Sequence, residues 1–448
     1  MRKRTFLKLL SAGVALRTAQ PVSAQKGSKP LVNWAGNLTY GTNSLHQAGT
    51  VEEIRSLLSS AEKWKVLGSR HCFNSIADSR HNLLSLNSSL DTVVIDEHAR
   101  TVTVDGGVKY GQLSPILHRK GFALHNMASL PHISIAGACS TATHGSGETN
   151  GNLASAVSAV ELITADGEVV KLSRKSDGDV FRGAVVGLGA IGVITRITLD
   201  LQPTYTVRQY VYQNLPLAAM KEHFDAIQSS GYSVSLFTDW QNQLVSEVWV
   251  KEHVGAARSF AAPTELFGAK LAKRNLHPIA ELSAENCTEQ MGVPGPWYER
   301  LPHFRMGFTP SAGKELQSEY FVARRNAVDA ILAVERLREQ VGPHLFISEI
   351  RTIAEDDLWM SPAYKQPSVA IHFTWKPDWP AVKRLLPIIE KELSSYQVRP
   401  HWGKLFTLPP SELRSRYPKI KDFIQLANKF DPKRKFRNAF LNTNVFGQ

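Results

Sequence analysis

The sequence predicts an α+β protein with a mainly antiparallel sheet, and it argues against a doubly wound nucleotide-binding sheet. Three observations carry this reading. In the first half, DTVVIDEHARTVTVDGG and VSAVELITADGEVVKLS alternate apolar and polar residues as β-hairpins do. From about Tyr205 onward, strand-like runs follow one another with few helices between them. The one glycine motif of the dinucleotide kind, GLGAIG at 187–192, stands in the wrong order for that use.

Along the chain, the first 25 residues read as an export signal. Arg2, Lys3 and Arg4 open it, LLSAGVAL is modestly apolar, and Val22-Ser23-Ala24 suits a signal peptidase. KRTFLK is similar to a twin-arginine signal with Lys in the first arginine position, and Arg17 interrupts the apolar run. The expected destination is the periplasm. Thr50 and Glu53 then form a capping box before the helix VEEIRSLLSSAEK. KVL reads as a short buried strand running into GSRHCFN. GQLSPILHRKG reads as a short helix, DVFRGAVVG as another, and VITRITLDLQP as a strand ended by Pro203.

GLGAIG therefore falls between a helix and a strand. A dinucleotide fingerprint needs a strand first, so that a helix N-terminus faces the pyrophosphate, and an acid about 20 residues on. From Leu201 to Lys221 there is neither Asp nor Glu. The motif reads instead as a turn that lets helix and strand pack closely. Beyond it, YTVRQYVYQNL, SVSLFTDW, LVSEVWVKEH, LFISEIRTIA and SVAIHFTWK read as strands. LQSEYFVARRNAVDAILAVERLREQV reads as one long amphipathic helix region.

Composition narrows the function classes. A chain of 448 residues is too long for one ordinary core, so two or three domains are expected. With 43% hydrophobic residues and interspersed charges it is globular. No run approaches the roughly 18 apolar residues of a membrane span. The net charge of +12 is scattered, with no basic block after the first eight residues, which argues against a nucleic-acid partner. Cys72, Cys139 and Cys287 have neither metal spacing nor a disulfide framework.

Three stretches carry candidate chemistry. In GSRHCFN, Gly68-Ser69-Arg70 can gather backbone N–H groups into an anion-binding nest, with His71 beside it. SLPHISIAGACSTATHGSG, Ser129 to Gly147, holds no charged side chain over 19 residues. Such a loop wraps a large neutral ligand or forms a tight core crossover. Glu349 with Arg351, and His372 with Thr374, stand two apart and so share a strand face. His401, Trp402, Gly403 and Lys404 follow in RPHWGK. Together they suit a pocket for hydroxyl groups, although a solvated sheet face would show the same alternation.

GSRH after a strand, the SLPHISIAGACSTATHGSG loop, the glycine turn and RPHWGK together resemble the vanillyl-alcohol-oxidase type (PCMH-type) flavoproteins. Within them the chain most resembles the alditol oxidases, which include xylitol oxidases; its similarity to sugar-lactone oxidases is more distant. The likeness covers nearly everything after residue 30. RPHWGK is shared with the lactone oxidases, whereas SLPHISIAG with HFTWK points to the alditol oxidases.

The resemblance implies a two-subdomain FAD-binding domain over 26–204, an α+β cap over 205–398, and a segment, 399–448, returning to the flavin. It implies cofactor contacts at Val66, Leu67, Gly68, Ser69, Arg70, His71, Cys72, Ser129, Ser134, Gly137, Ala138, Cys139, Ser140, Val193 and His401. His71 is the implied single covalent attachment point, since neither Cys72 nor Cys139 matches the motif of doubly linked relatives. Substrate contacts are implied at Ser129, Glu349, Arg351, Thr374 and Lys404. The expected reaction is hydride transfer from a polyol such as xylitol or sorbitol to flavin N5. Arg351 and Lys404 would support the developing alkoxide, His372 would accept the proton, and Glu349 would hold hydroxyls and Arg351. Oxygen would reoxidise the flavin and give hydrogen peroxide; a lactone substrate or a respiratory acceptor is the alternative. A monomer is expected.

Overall fold

A computed structural model describes residues 29–255, 260–307 and 315–448; the expected export signal over 1–25 lies outside them. The first half holds two sheets. In the smaller, β1 (Leu45–Ala48), β2 (Trp64–Val66) and β3 (Asn82–Leu86) run parallel in the order β1-β3-β2. Helix α1 (Val51–Ser60) joins the first two, and the Thr50–Glu53 capping box closes its N-terminus as the spacing predicts.

The second sheet is antiparallel and five-stranded. Its strands are β4 (Val94–Asp96), β5 (Thr101–Asp105), β6 (Val157–Ile163), β7 (Val169–Ser173) and β8 (Val193–Asp200), in the order β4-β5-β8-β6-β7. Both expected hairpins form, and Gly167 makes the second turn with φ +90°. Strand β8 stops at Asp200, earlier than expected. Pro203 instead belongs to a two-residue strand, Gln202–Pro203, paired with Phe122–Ala123. The helices are α2 (Tyr110–Arg119), α3 (Ile135–Ser140) and α4 (Arg174–Val185). GLGAIG joins α4 to β8, in the helix-to-strand order that excludes the fingerprint role. A Cβ at Gly192 would stand 2.6 Å from the Ile163 carbonyl oxygen, so the turn does lie hard against β6.

The second half builds one large antiparallel sheet. Its main strands are β9 (Thr206–Pro216), β10 (Ser233–Thr238), β11 (Leu244–His253), β12 (Leu316–Ala323), β13 (Leu345–Ile353), β14 (Ser368–Trp375) and β15 (Arg399–Pro400). They lie in the order β9-β11-β10-β13-β14-β12-β15. Helices α5 (Leu217–Gln228), α6 (Ala327–Glu335) and α7 (Trp379–Glu392) cover one face. Their Met220, Phe224, Ile331, Val334, Val382 and Ile389 share a core with Leu236, Val248, Ile350, Ile371 and Phe373 of the sheet. No helix among the described residues is long and apolar enough to cross a membrane.

The expected long helix over 316–341 is corrected. Its first eight residues are β12, and only Ala327–Glu335 and Arg338–Val341 are α-helical. β12 is paired on both sides, to β14 and β15, and all of its residues but Gln317 are buried. A strand buried on both faces loses the simple polar–apolar alternation that marks a half-exposed one. Its neighbours' hydrogen bonds override the helical pattern.

Candidate active site

A cavity of about 750 Å³ runs from the loop after β2 to the uncovered face of the large sheet. At the first end the backbone reverses at Arg70, whose φ is +63°, while the Arg70 side chain turns outward to the Val32 carbonyl. Ser69 Oγ accepts from the Ser134 backbone N–H at 3.1 Å, which ties this loop to the start of α3. A Cβ at Gly68 or Gly137 would stand 2.6 or 2.7 Å from Ser134 Oγ. Glycine therefore keeps the floor open. Ser134 Oγ and His71 Nε2 are buried without a protein partner. Such orphans are expected where a polar ligand completes the wall. His71 stacks on Trp34 at 5.1 Å, and burial pushes its pKa down to about 4.

The glycine turn closes the side of this end. Gly187, Leu188, Gly189, Ile191 and Gly192 all line it. Lys65, buried on β2, donates to the Gly189 carbonyl at 2.9 Å and to those of Leu188 and Phe436 at 3.3 Å. Burial pulls its ammonium down to about 7.

The far wall is built from strand register. Phe237, Glu349, His372 and Glu319 stand in one row across β10, β13, β14 and β12. Residues two further along each strand project the same way, adding Arg351 and Thr374. RPHWGK begins with β15, and the His401 backbone N–H donates to the Glu319 carbonyl at 3.0 Å. That contact brings Lys404 back over the row.

The wall is a closed ionic network. Arg351 donates to Glu319 Oε1 at 2.6 Å and to Ser129 Oγ at 3.3 Å, and its Nε lies 3.5 Å from Glu349 Oε2. Lys404 Nζ lies 2.8 Å from Glu319 Oε2 and 2.7 Å from His372 Nδ1. His372 Nε2 and Thr374 Oγ1 are 3.0 Å apart, and His303 Nε2 lies 2.7 Å from Glu349 Oε1. His144 Nε2 stands 3.3 Å from Glu319 Oε2, out of hydrogen-bond alignment.

Burial opposes ionisation of Glu319, but Lys404, His144 and Arg351 outweigh it and hold the carboxyl well below its usual range. Burial likewise opposes Glu349, and Arg351 with His303 overcomes it. Burial first and Lys404 second keep His372 neutral, its pKa well below the ordinary histidine value. Burial also lowers the pKa of Lys404 and of His401. Two carboxylates thus face two cations, with neutral imidazoles between them.

Most of the sequence-derived residues meet at this cavity. Val66 through Cys72, Ser129, Ser134, Gly137, Ala138, Ser140, Glu349, Arg351, His372, Thr374, His401 and Lys404 all line it. Two do not. Val193 turns into a core with Trp64, Ile163 and Phe436, because β8 alternates and gives the cavity Ile194 instead. Cys139 sits in the neighbouring core beside Tyr110, on the inner side of α3. The sequence reading missed Glu319, at the centre of the network, and His303. Glu319 was hidden in the segment read as helix. Its one local signal was Tyr320-Phe321-Val322, three strand-favouring residues in a row. His303 lies in a loop, LPHF, with no local signal.

Comparison with known proteins gives the family. A family model described as FAD binding domain matches residues 44–173, and one described as D-arabinono-1,4-lactone oxidase matches 311–444. The chain is 46% identical to an alditol oxidase of Streptomyces sp., over 94% of this chain and 100% of that one. It is 27% identical to an L-gulono-1,4-lactone dehydrogenase of Mycobacterium tuberculosis, over 91% and 97%. Cholesterol oxidase from B. sterolicum shares the fold with a TM-score of 0.73 at 14% identity, over 93% of this chain and 96% of that one. FAD is the cofactor, and the open floor and orphaned polar atoms of the first end fit a long polar ligand. With a relative of such identity aligned along its whole length, the chain belongs to the alditol oxidase family of FAD-linked oxidoreductases.

Proposed function

We propose that this enzyme oxidises a hydroxyl-bearing carbon of a neutral polyol, an alditol, with oxygen as the final electron acceptor. The observation that carries the proposal is the wall itself. Glu319 and Glu349 balance Arg351 and Lys404, so the wall presents many hydrogen-bonding atoms without a surplus charge to select an anion. Val66–His71, Ser134, Gly137 and Ser140 would hold FAD, which supplies a hydride acceptor when bound.

The chain's own groups orient the substrate and manage its proton. Glu349 accepts hydrogen bonds from hydroxyls, and Ser129 and Thr374 contact others. Arg351 and Lys404 stabilise negative charge as it develops on the reacting oxygen. His372, kept neutral, is the proton acceptor; with its Nδ1 facing the Lys404 ammonium and its Nε2–H facing Thr374, it takes the proton at Nδ1 from Lys404, which the substrate hydroxyl reprotonates. His71 is the proposed covalent attachment residue. Its buried, unpartnered Nε2 and its neutral ring support that role. Export is also proposed, on the basic start and the Val22-Ser23-Ala24 site; N-terminal sequencing of periplasmic protein tests it.

A lactone substrate is the second reading, favoured by the lactone oxidase match across the strands that carry the wall. The deciding experiment measures hydrogen peroxide with xylitol, sorbitol and aldono-1,4-lactones. Turnover of alditols with peroxide release supports the proposal; turnover of lactones alone replaces it. Acid precipitation tests the link: yellow colour in the pellet, lost in His71→Ala, supports it. Colour released to the supernatant removes the covalent bond and leaves the flavoprotein.

A further inference from the structure

His303 is a buried histidine with a partner on each ring nitrogen, and the reaction outlined above gives it no task. Nδ1 lies 3.1 Å from Lys251 Nζ. The same ammonium donates to the Leu301 carbonyl at 2.5 Å and the Pro302 carbonyl at 3.2 Å. Lys251 thus spends its three donors on three acceptors. With Nδ1 accepting, the ring proton sits on Nε2, which faces Glu349 Oε1 at 2.7 Å. Phe237 and Trp249 stand edge-on to the ring at 5.5 and 5.1 Å and fix its plane. The His303 backbone N–H donates to the Ser129 carbonyl at 3.1 Å. One residue therefore touches both Glu349 and Ser129, which approach the cavity from separate halves of the chain.

We propose that His303, held by Lys251, is a positioning residue that sets Glu349 and Ser129 as a matched pair for two hydroxyl groups of one substrate. The proposal rests on the polyol reading above. His303 occupies one carboxylate oxygen of Glu349, and Arg351 flanks the other. The carboxylate cannot swing, so its remaining lone pairs point at one place in the cavity. A polyol whose hydroxyls match that spacing gains both contacts, and one that does not loses both.

The test is a set of holoenzyme variants assayed with xylitol and sorbitol. His303→Phe keeps the ring packing and removes the contacts to Lys251 and Glu349. Losing a hydrogen bond to a charged group should raise KM roughly tenfold, with a smaller change in kcat and parental FAD content. His303→Gln, which retains a side-chain N–H donor, should recover most of the loss. Lys251→Met should shift KM in the same direction. Parental KM in His303→Phe overturns the proposal. So does loss of FAD content and of thermal midpoint in both His303 variants alike, which is what a merely structural ring would give. A parent enzyme that turns over no polyol instead removes the underlying reading, and that result is seen before any variant is compared.

Discussion

Lys404 Nζ lies 2.7 Å from His372 Nδ1, so a largely buried cation donates directly to the imidazole that is to take up the substrate proton. The contact helps keep that imidazole neutral. Replacing the lysine by methionine removes the positive neighbour, and the histidine pKa must rise. Lys404→Met should lower kcat on the order of 100-fold, the scale of losing one charge-stabilising donor, while the yellow colour remains. The acidic limb of the kcat/KM profile should move to higher pH. A limb that stays put would assign it to some group other than His372.

Glu319 joins four side chains to one carboxylate, all of them buried or nearly so. Glu319→Gln leaves Arg351 and Lys404 without their shared counter-charge. Breaking a buried ionic network from one side costs about 3 kcal/mol or more. Urea unfolding of parent and variant checks this, and equal midpoints would mean that the two cations find other partners.

Stability should rise as pH rises from about 4 to 6.5. His71 and His303 have folded pKa values of about 4, lowered chiefly by burial, against an ordinary 6.5. Between those values the unfolded chain binds more protons, so raising the pH favours the folded state. His372, His144 and His401 are shifted the same way. Asp356 and Glu247, raised by burial to about 6 and 7, act in the opposite sense. Thermal midpoints across this range give the balance, and a flat profile would show the acids cancelling the histidines.

Gly68→Ala should lower FAD content, because the new Cβ would sit 2.6 Å from Ser134 Oγ in the cavity floor. Adding Ser134→Ala removes the obstructing oxygen and should restore part of the loading. Bound flavin per chain, read by absorbance, decides it. A double variant no better than the single one would locate the damage in the backbone of the loop.

Much of this was legible in the sequence because it was local. The Thr50–Glu53 cap, the two hairpins and the wrong-order GLGAIG each needed only a few neighbouring residues. Glu349 with Arg351 and His372 with Thr374 were legible too, since a two-residue spacing fixes a shared face. Glu319 was not. Its strand is buried between two others, so its pattern is set by partners distant in sequence, and it passed for helix. His303 owes its place to Glu349 and Ser129, 46 residues later and far earlier in the chain. Val193 failed for a simpler reason: a strand gives the cavity only every second residue, and the cavity took Ile194.

The row Phe237, Glu349, His372, Glu319 spans four neighbouring strands, and it has a use before any substrate arrives. A slip of one residue in β13 or β12 would turn Glu349 or Glu319 from the cavity into the helix-covered core. A carboxylate stranded there would have no cation to meet it. The residues that read hydroxyls thus also proofread the sheet: only the correct alignment of β13 and β12 about β14 lets Glu349 and Glu319 meet Arg351 and Lys404.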